Sequence, residues 1–221
     1  MIRLYIITEG VTEEKFVKKT LQSYLVQNNI FCYPINFGGL IKKYKQSYPQ
    51  VKDLIQRLIK QEHQNKEAHF TTMFDLYALP DDFPNFKSSI NSPDPYKRVD
   101  ELEASFANDL DDRRFMPYIQ LHEYEALLFT DISKILPDFP NRAQEVNQLV
   151  SLSQNFSSPE VIDDNKESAP SKRIIKLIPE YEGEKVSVGP LAAGRIGIDE
   201  MRLKCRHFDN WIKRLIELSR Q

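Results

Sequence analysis

The chain opens on strict alternation: apolar Ile2, Leu4 and Ile6 are separated by Arg3 and Tyr5, and the stretch ends at Thr8-Glu9-Gly10. A period of two predicts a half-buried strand. Thr12 is the expected N-cap of the following helix, with Glu13 and Glu14 suited to the positive end of its dipole. Val17, Leu21, Tyr24 and Leu25 continue that helix, and Asn28-Asn29 marks its expected end. A second strand over 30–35 contains Pro34, which predicts an edge position or an irregular end. Val51, Leu54, Ile55, Leu58 and Ile59 form a helical stripe. Residues 69–74 read as a buried strand closing on Asp75. Val99, Leu102, Phe106 and Leu110 mark another helix, and 115–121 a fourth strand.

This β-α-β-α-β-α-β order predicts an α/β fold: a mainly parallel, Rossmann-like sheet with right-handed crossovers and helices on its faces. Pro, Ser and Asn over 85–95 predict a loop across the sheet's edge. Past Leu121 the pattern turns helical. The polar stretch 155–170 reads as a flexible connection, and Phe208, Trp211, Ile212, Leu215 and Ile216 as a terminal amphipathic helix. The expected division is an α/β core over 1–135 with a helical C-terminal extension, 136–221, packed on it.

Composition narrows the function classes. The 221 residues carry 30 Lys+Arg against 32 Asp+Glu, a net charge of −2, with 41% hydrophobic and 28% charged residues. That is neither disordered nor membranous composition. No apolar run approaches the roughly 20 residues of a bilayer crossing. Met1 leads directly into strand-like sequence without a basic leader, so a cytoplasmic protein with no membrane partner is expected. Cys32 and Cys205 cannot build a disulfide scaffold or a four-Cys zinc site, and Cys205-x-His207 reads as core packing. Gly189 and Gly194 have the spacing of a phosphate loop, but Arg195 and Ile196 replace its Lys and Ser/Thr. That stretch is expected to be a turn into a helix, and P-loop ATP hydrolysis is excluded. No Ser lies in a G-x-S-x-G elbow.

In a parallel sheet, ligands gather beyond the carboxyl ends of the strands. The first strand delivers Glu9 there, the third Asp75, and the fourth His122, Glu123 and Glu125. Such carboxylates repel one another unless protons or a hard cation compensate them, and carboxylates with water are how proteins hold magnesium. With phosphate oxygens as further ligands, the site becomes one of phosphodiester cleavage or transfer. Plainer roles compete. Glu9 could cap a helix, Asp75 form a turn, Glu123 and Glu125 start a solvated helix, and His122 serve as hydrogen-bonded scaffolding. Their coincidence at one edge favours the site. Lys42, Lys43 and Lys45 after Gly38-Gly39 could meet a phosphate backbone or simply form a solvated loop. Lys172 and Arg173 after Pro170 read as cations at a helix start near an anion, or as an ordinary surface helix. The near-zero net charge argues against coating nucleic acid unaided, but leaves room for a small basic groove.

Three segments carry a resemblance: residues 8–14 (TEGVTEE), 74–80 (FDLYALP) and 119–129 (IQLHEYEALLF). They resemble a bacterial family of uncharacterised proteins with E-G-x-T-E, D-x-Y-x-x-P and H-E-[FY]-E-A-L-L-F motifs. Residues 169–173 (APSKR) and 205–211 (CRHFDNW) also match. The family is similar to a divergent branch of the TOPRIM fold of primases, topoisomerases and overcoming-lysogenization-defect nucleases. The resemblance implies an ABC- or AAA-type ATPase encoded alongside, and a role in phage defence. It implies that Glu9 matches the TOPRIM glutamate of acid/base catalysis or metal binding, and Asp75 the first aspartate of D-x-D. Tyr77 stands where the second aspartate belongs, so Glu123 or Glu125 would replace the lost carboxylate. His122 and Tyr77 would orient the ligands from behind, and Lys172 and Arg173 would meet phosphate. The expected function is a Mg2+- or Mn2+-dependent nuclease or phosphotransfer enzyme acting on DNA or RNA, effector of an ATPase-coupled system. The alternative is a non-catalytic partner or sensor module of that ATPase; a third, weaker reading is a regulatory domain binding a phosphorylated ligand at helix N-termini. No topoisomerase tyrosine domain is recognisable, and oligomer formation stays open.

Overall fold

Five parallel strands build the sheet of the computed structural model, which describes residues 1–40, 47–89, 91–162 and 168–220. They are β1 (Ile2–Thr8), β2 (Ile30–Asn36), β3 (Ala68–Asp75), β4 (Phe115–Met116) and β5 (Ile119–Gln120). The order is β2-β1-β3-β4, with β5 also pairing β3. Pro34 lies in β2, on the sheet's edge, where its missing N–H costs no ladder bond.

The alternation in β1 places its side chains on two faces. Ile2, Leu4 and Ile6 pack on one core, and Ile7 on the other. The second core joins Phe70 and Phe74 of β3 to α4 (Tyr48–Gln61) and α6 (Pro95–Leu110) through Val51, Ile55, Val99, Leu102 and Phe106. The first core takes Phe16 from α1 (Val11–Phe16), which continues through a π-helical turn (Val17–Leu21) into α2 (Gln22–Leu25). Asn29, in the left-handed region at φ 57°, ends this run where Asn28-Asn29 predicted it. Short helices α3 (Phe37–Leu40) and α5 (Phe86–Ser89) complete this part.

The helical C-terminal region packs on the first core as well. It comprises α7 (Ala143–Ser153), α8 (Pro170–Leu177), α9 (Tyr181–Ile196), α10 (Ile198–Lys204) and α11 (Arg206–Glu217). Phe208, Trp211 and Ile212 of α11 are buried against the sheet, and Trp211 Nε1 donates to Thr71 Oγ1 of β3 at 3.0 Å. Among the described residues no helix is long and apolar enough to cross a membrane.

Several sequence expectations change in detail. The N-cap of α1 is Gly10, not Thr12: its carbonyl accepts the Glu14 N–H at 3.2 Å. The fourth strand is split into β4 and β5, because Pro117 between them has no N–H for a ladder. There Thr72 Oγ1 accepts from Tyr118 N at 3.0 Å and donates to Tyr118 O at 2.9 Å, replacing sheet bonds. The expected loop over 85–95 contains α5 and the start of α6. The Gly189–Gly194 stretch lies inside α9 instead of forming a turn. Gly189 is there for close approach: a Cβ would meet Tyr124 Cε1 at 3.3 Å and Thr12 Cγ2 at 3.5 Å. Lys42, Lys43 and Lys45 lie outside the described residues, as does 163–167 of the expected connection.

Candidate functional site

Parallel pairing carries the ends of β1 and β3 to one edge. Thr8 pairs with Met73, so Glu9 follows β1 where Asp75 closes β3, and the Asp75 N–H donates to Glu9 Oε2 at 3.4 Å. Asp75 pairs in register with Gln120 of β5, which leads through Leu121 and His122 to Glu123 and Glu125. Asp75 Oδ1 accepts the Tyr124 N–H at 2.8 Å, drawing this third segment in. The turn requires His122 at φ 63°, a left-handed conformation uncommon outside glycine. Such backbone strain clusters at functional sites.

A fifth carboxylate joins from α1. Glu13 is buried, and its Oε2 accepts the Gly10 N–H at 2.9 Å. A Cβ on Gly10 would stand 3.0 Å from that oxygen, so a larger residue there would push the Glu13 carboxylate aside by a few tenths of an ångström. Glu123 Oε1 accepts the N–H of Ser171 at the start of α8. Glu125 Oε1 accepts from Tyr181 Oη at 3.4 Å and faces Lys185 Nζ at 3.3 Å, both on α9. Each carboxylate is therefore tied through one oxygen.

The electrostatics record the crowding. Burial, then Glu13 and Glu123, push the Glu9 carboxyl up to about 7, against the opposing pull of the Asp75 N–H. Burial, then Glu9, Glu13, Glu125 and Glu123, hold Asp75 well above the usual carboxylate range. Burial also raises Glu13, against bonds from backbone N–H groups and the Lys185 charge. Glu125 is pushed up to about 7 by burial and Glu123, with Lys185 opposing. Glu9 also lines a small hollow together with Val51, Phe74, Ala78, Leu79, Pro80 and Phe83.

Of the residues expected at the site, Glu9, Asp75, Glu123 and Glu125 thus share one electrostatic neighbourhood. His122 Nδ1 is 3.0 Å from Tyr77 Oη, so Tyr77 holds this histidine. Lys172 is exposed at the start of α8. Arg173 lies over the Phe156 ring at 5.5 Å and donates to Ile162 O at 3.1 Å. Sequence reasoning missed Glu13 and Lys185. Glu13 sits four residues past Glu9, but its place near a helix start hid it behind the dipole reading. Lys185 had no local signal.

The five side chains all offer oxygen ligands, which fits a hard divalent cation in kind, while the Lys185 ammonium offsets part of their charge. Their oxygens stand around the edge, each with its own partner. Among the described residues, the group with ligand atoms all within 4.8 Å of one another is instead Asp100, Glu103 and His207, a trio that could hold a metal ion. His207 therefore has carboxylate company, while Cys205 is buried beside Thr130 Oγ1 at 3.8 Å. A cleft of about 1010 Å³ at the opposite edge includes Met1, His63 and Arg114, but holds none of the expected site residues. Its Arg114 is bound to Asp112 and to the Glu62 and Ile59 carbonyls, so volume does not locate the chemistry.

A family model described as Domain of unknown function (DUF4276) matches residues 8–216, and the chain belongs to that family. No curated protein and no solved structure matches the chain.

Proposed function

We propose that this DUF4276 member is a divalent-metal-dependent nuclease of TOPRIM-like type, cleaving phosphodiester bonds in DNA or RNA as the effector of an ATPase-coupled defence system. The observation that carries the reading is the gathering of Glu9, Glu13, Asp75, Glu123 and Glu125 at the sheet's carboxyl edge, where burial and mutual repulsion raise the proton affinity of four of them. Proteins keep such arrangements where a cation or a proton transfer uses them. The substrate and the defence role rest on the motif resemblance.

Glu9, Asp75 and Glu123 would hold Mg2+ or Mn2+, with Glu125 and Glu13 beside them. When bound, the ion polarises a phosphate and lowers the pKa of an attacking water. The chain's own residues do the rest. Asp75, fixed by the Tyr124 N–H, and Glu123, fixed by the Ser171 N–H, present oxygens from rigid backbone. Glu9 takes up or releases a proton near neutral pH. Tyr77 and His122 brace the turn behind Glu123, and Lys185 and exposed Lys172 offer charge to phosphate oxygens.

Calorimetry with Mg2+ and Mn2+ tests the reading. Wild type is expected to bind, and Asp75→Ala to lose that binding. Glu9→Gln is expected to keep the fold by circular dichroism and lose cleavage of DNA and RNA substrates at least a hundredfold. Full cleavage by Glu9→Gln would end the assignment. A second reading is favoured by Tyr77, which bonds His122 in place of a ligating aspartate: a non-catalytic module docking the ATPase. It predicts no metal heat in wild type and a stable complex with the ATPase in pull-down.

A further inference from the structure

Outside the carboxylate edge, one cluster mixes nitrogen and oxygen donors. Asp100 and Glu103 stand one turn apart on α6, a spacing that places side chains on the same helix face. His207 enters from the first turn of α11. Its Nε2 is 2.9 Å from Glu103 Oε1, and its Nδ1 is 3.9 Å from Asp100 Oδ1. A tetrahedral ion with bonds of about 2.0–2.2 Å keeps its ligand atoms roughly 3.3–3.5 Å apart. One imidazole nitrogen serves such an ion, and one ligand atom from each of Asp100, Glu103 and His207 lies within 4.8 Å of the other two, so the side chains draw together to reach it.

The donors are also held from behind. Glu160 accepts the backbone N–H groups of His207 and Phe208 at 3.0 and 2.9 Å, fixing the start of α11. The imidazole stacks on Tyr118 at 5.1 Å between centroids, and Glu103 Oε1 accepts the Ile119 N–H at 2.7 Å. Hydrogen bonds and packing behind the ligands are how proteins orient a metal site. Charge points the same way: Glu103, Glu160 and Asp100 surround the single imidazole, while the neighbouring Arg206 guanidinium lies over the Tyr96 ring at 4.0 Å. The Asp100 side chain is 70% exposed, leaving a face open for water as a fourth ligand.

We propose that Asp100, Glu103 and His207 form a structural site for a borderline divalent transition ion of the Zn2+ class, clasping α11 to α6. The imidazole donor selects such an ion over Mg2+, which prefers oxygen. The site shares no residue with the carboxylate edge, so it stands or falls apart from the nuclease reading.

Trp211, the single tryptophan, is the reporter: it stacks on Tyr118 at 4.2 Å, and Tyr118 stacks on His207. Co2+ is titrated into the full chain while tryptophan fluorescence is followed. The expected result is saturable quenching in wild type, displaced by Zn2+ and not by a large excess of Mg2+. Asp100→Asn, at an exposed position that leaves the core untouched, is expected to weaken Co2+ at least tenfold, and Glu9→Gln to leave it unchanged. Zn2+ at a hundredfold excess over its Kd is expected to raise the wild-type Tm by about 5–10 °C, and to leave the Tm of His207→Gln unmoved. Absence of saturable quenching in wild type, or equal Co2+ affinity in Asp100→Asn, would overturn the site and leave a metal-free hydrogen-bonded clasp.

Discussion

Glu9 and Glu125 show how the tertiary environment changes a residue's chemistry. Both carboxyls are raised from 4.5 to about 7, with burial the first cause in each. Between about pH 4.5 and 7 the folded chain therefore binds protons that the unfolded chain has released, and stability falls as pH rises through that window. Without divalent metal, the Tm of Glu125→Gln is expected to fall less steeply than wild type from about pH 5 to 8. Equal slopes in thermal melts would show that Glu125 does not carry this charge burden. Glu9 and Asp75 were legible because both follow strand patterns directly. Glu13 was not: an acid near a helix start looks the same whether it serves the dipole or a site five residues wide in space. Tyr77 was legible only as a missing carboxylate, while its bond to His122 belongs to the folded turn.

At the scale of elements, the split between β4 and β5 shows what a pattern conceals. The apolar run over 115–121 reads as one strand, but Pro117 breaks the ladder and the Thr72 hydroxyl bridges the gap through both polar groups of Tyr118. Thr72→Val keeps the shape and removes the bridge, leaving the Tyr118 N–H buried without it. The expected cost is about 1–3 kcal/mol, read as a lowered denaturation midpoint with an unchanged slope. An unchanged midpoint would mean the bridge adds nothing. The contact of α9 with α1 was equally hidden. Gly189 and Gly194 caught attention for their spacing, whereas Gly189 lets the helix approach Tyr124 and Thr12 and thereby brings Lys185 to Glu125.

At the scale of the whole molecule, the C-terminal helices complete the core that the sheet begins. Leu4, Ile6 and Phe16 pack in the same cluster as Phe208, Trp211 and Ile212. Glu160 caps α11, and Glu103 of α6 meets His207. A fragment of residues 1–135 would expose that apolar face, so it is expected to lack a cooperative thermal transition in calorimetry. A cooperative transition in the fragment would make the C-terminal region dispensable for folding.

The sequence by itself determined the α/β order, the parallel sheet and the delivery of Glu9, Asp75, Glu123 and Glu125 to strand ends, and it narrowed β2 to an edge position or an irregular end. Those follow from local periodicity and from the rule that parallel strands end together. Only the tertiary structure decided that Glu13 and Lys185 join the carboxylates, that Tyr77 holds His122, and that His207 meets Asp100 and Glu103. The pairing of His207 with Asp100 alone spans 107 residues, from α6 to α11. No local pattern encodes them, because they arise where separate elements bury their apolar faces together and bring their polar side chains along.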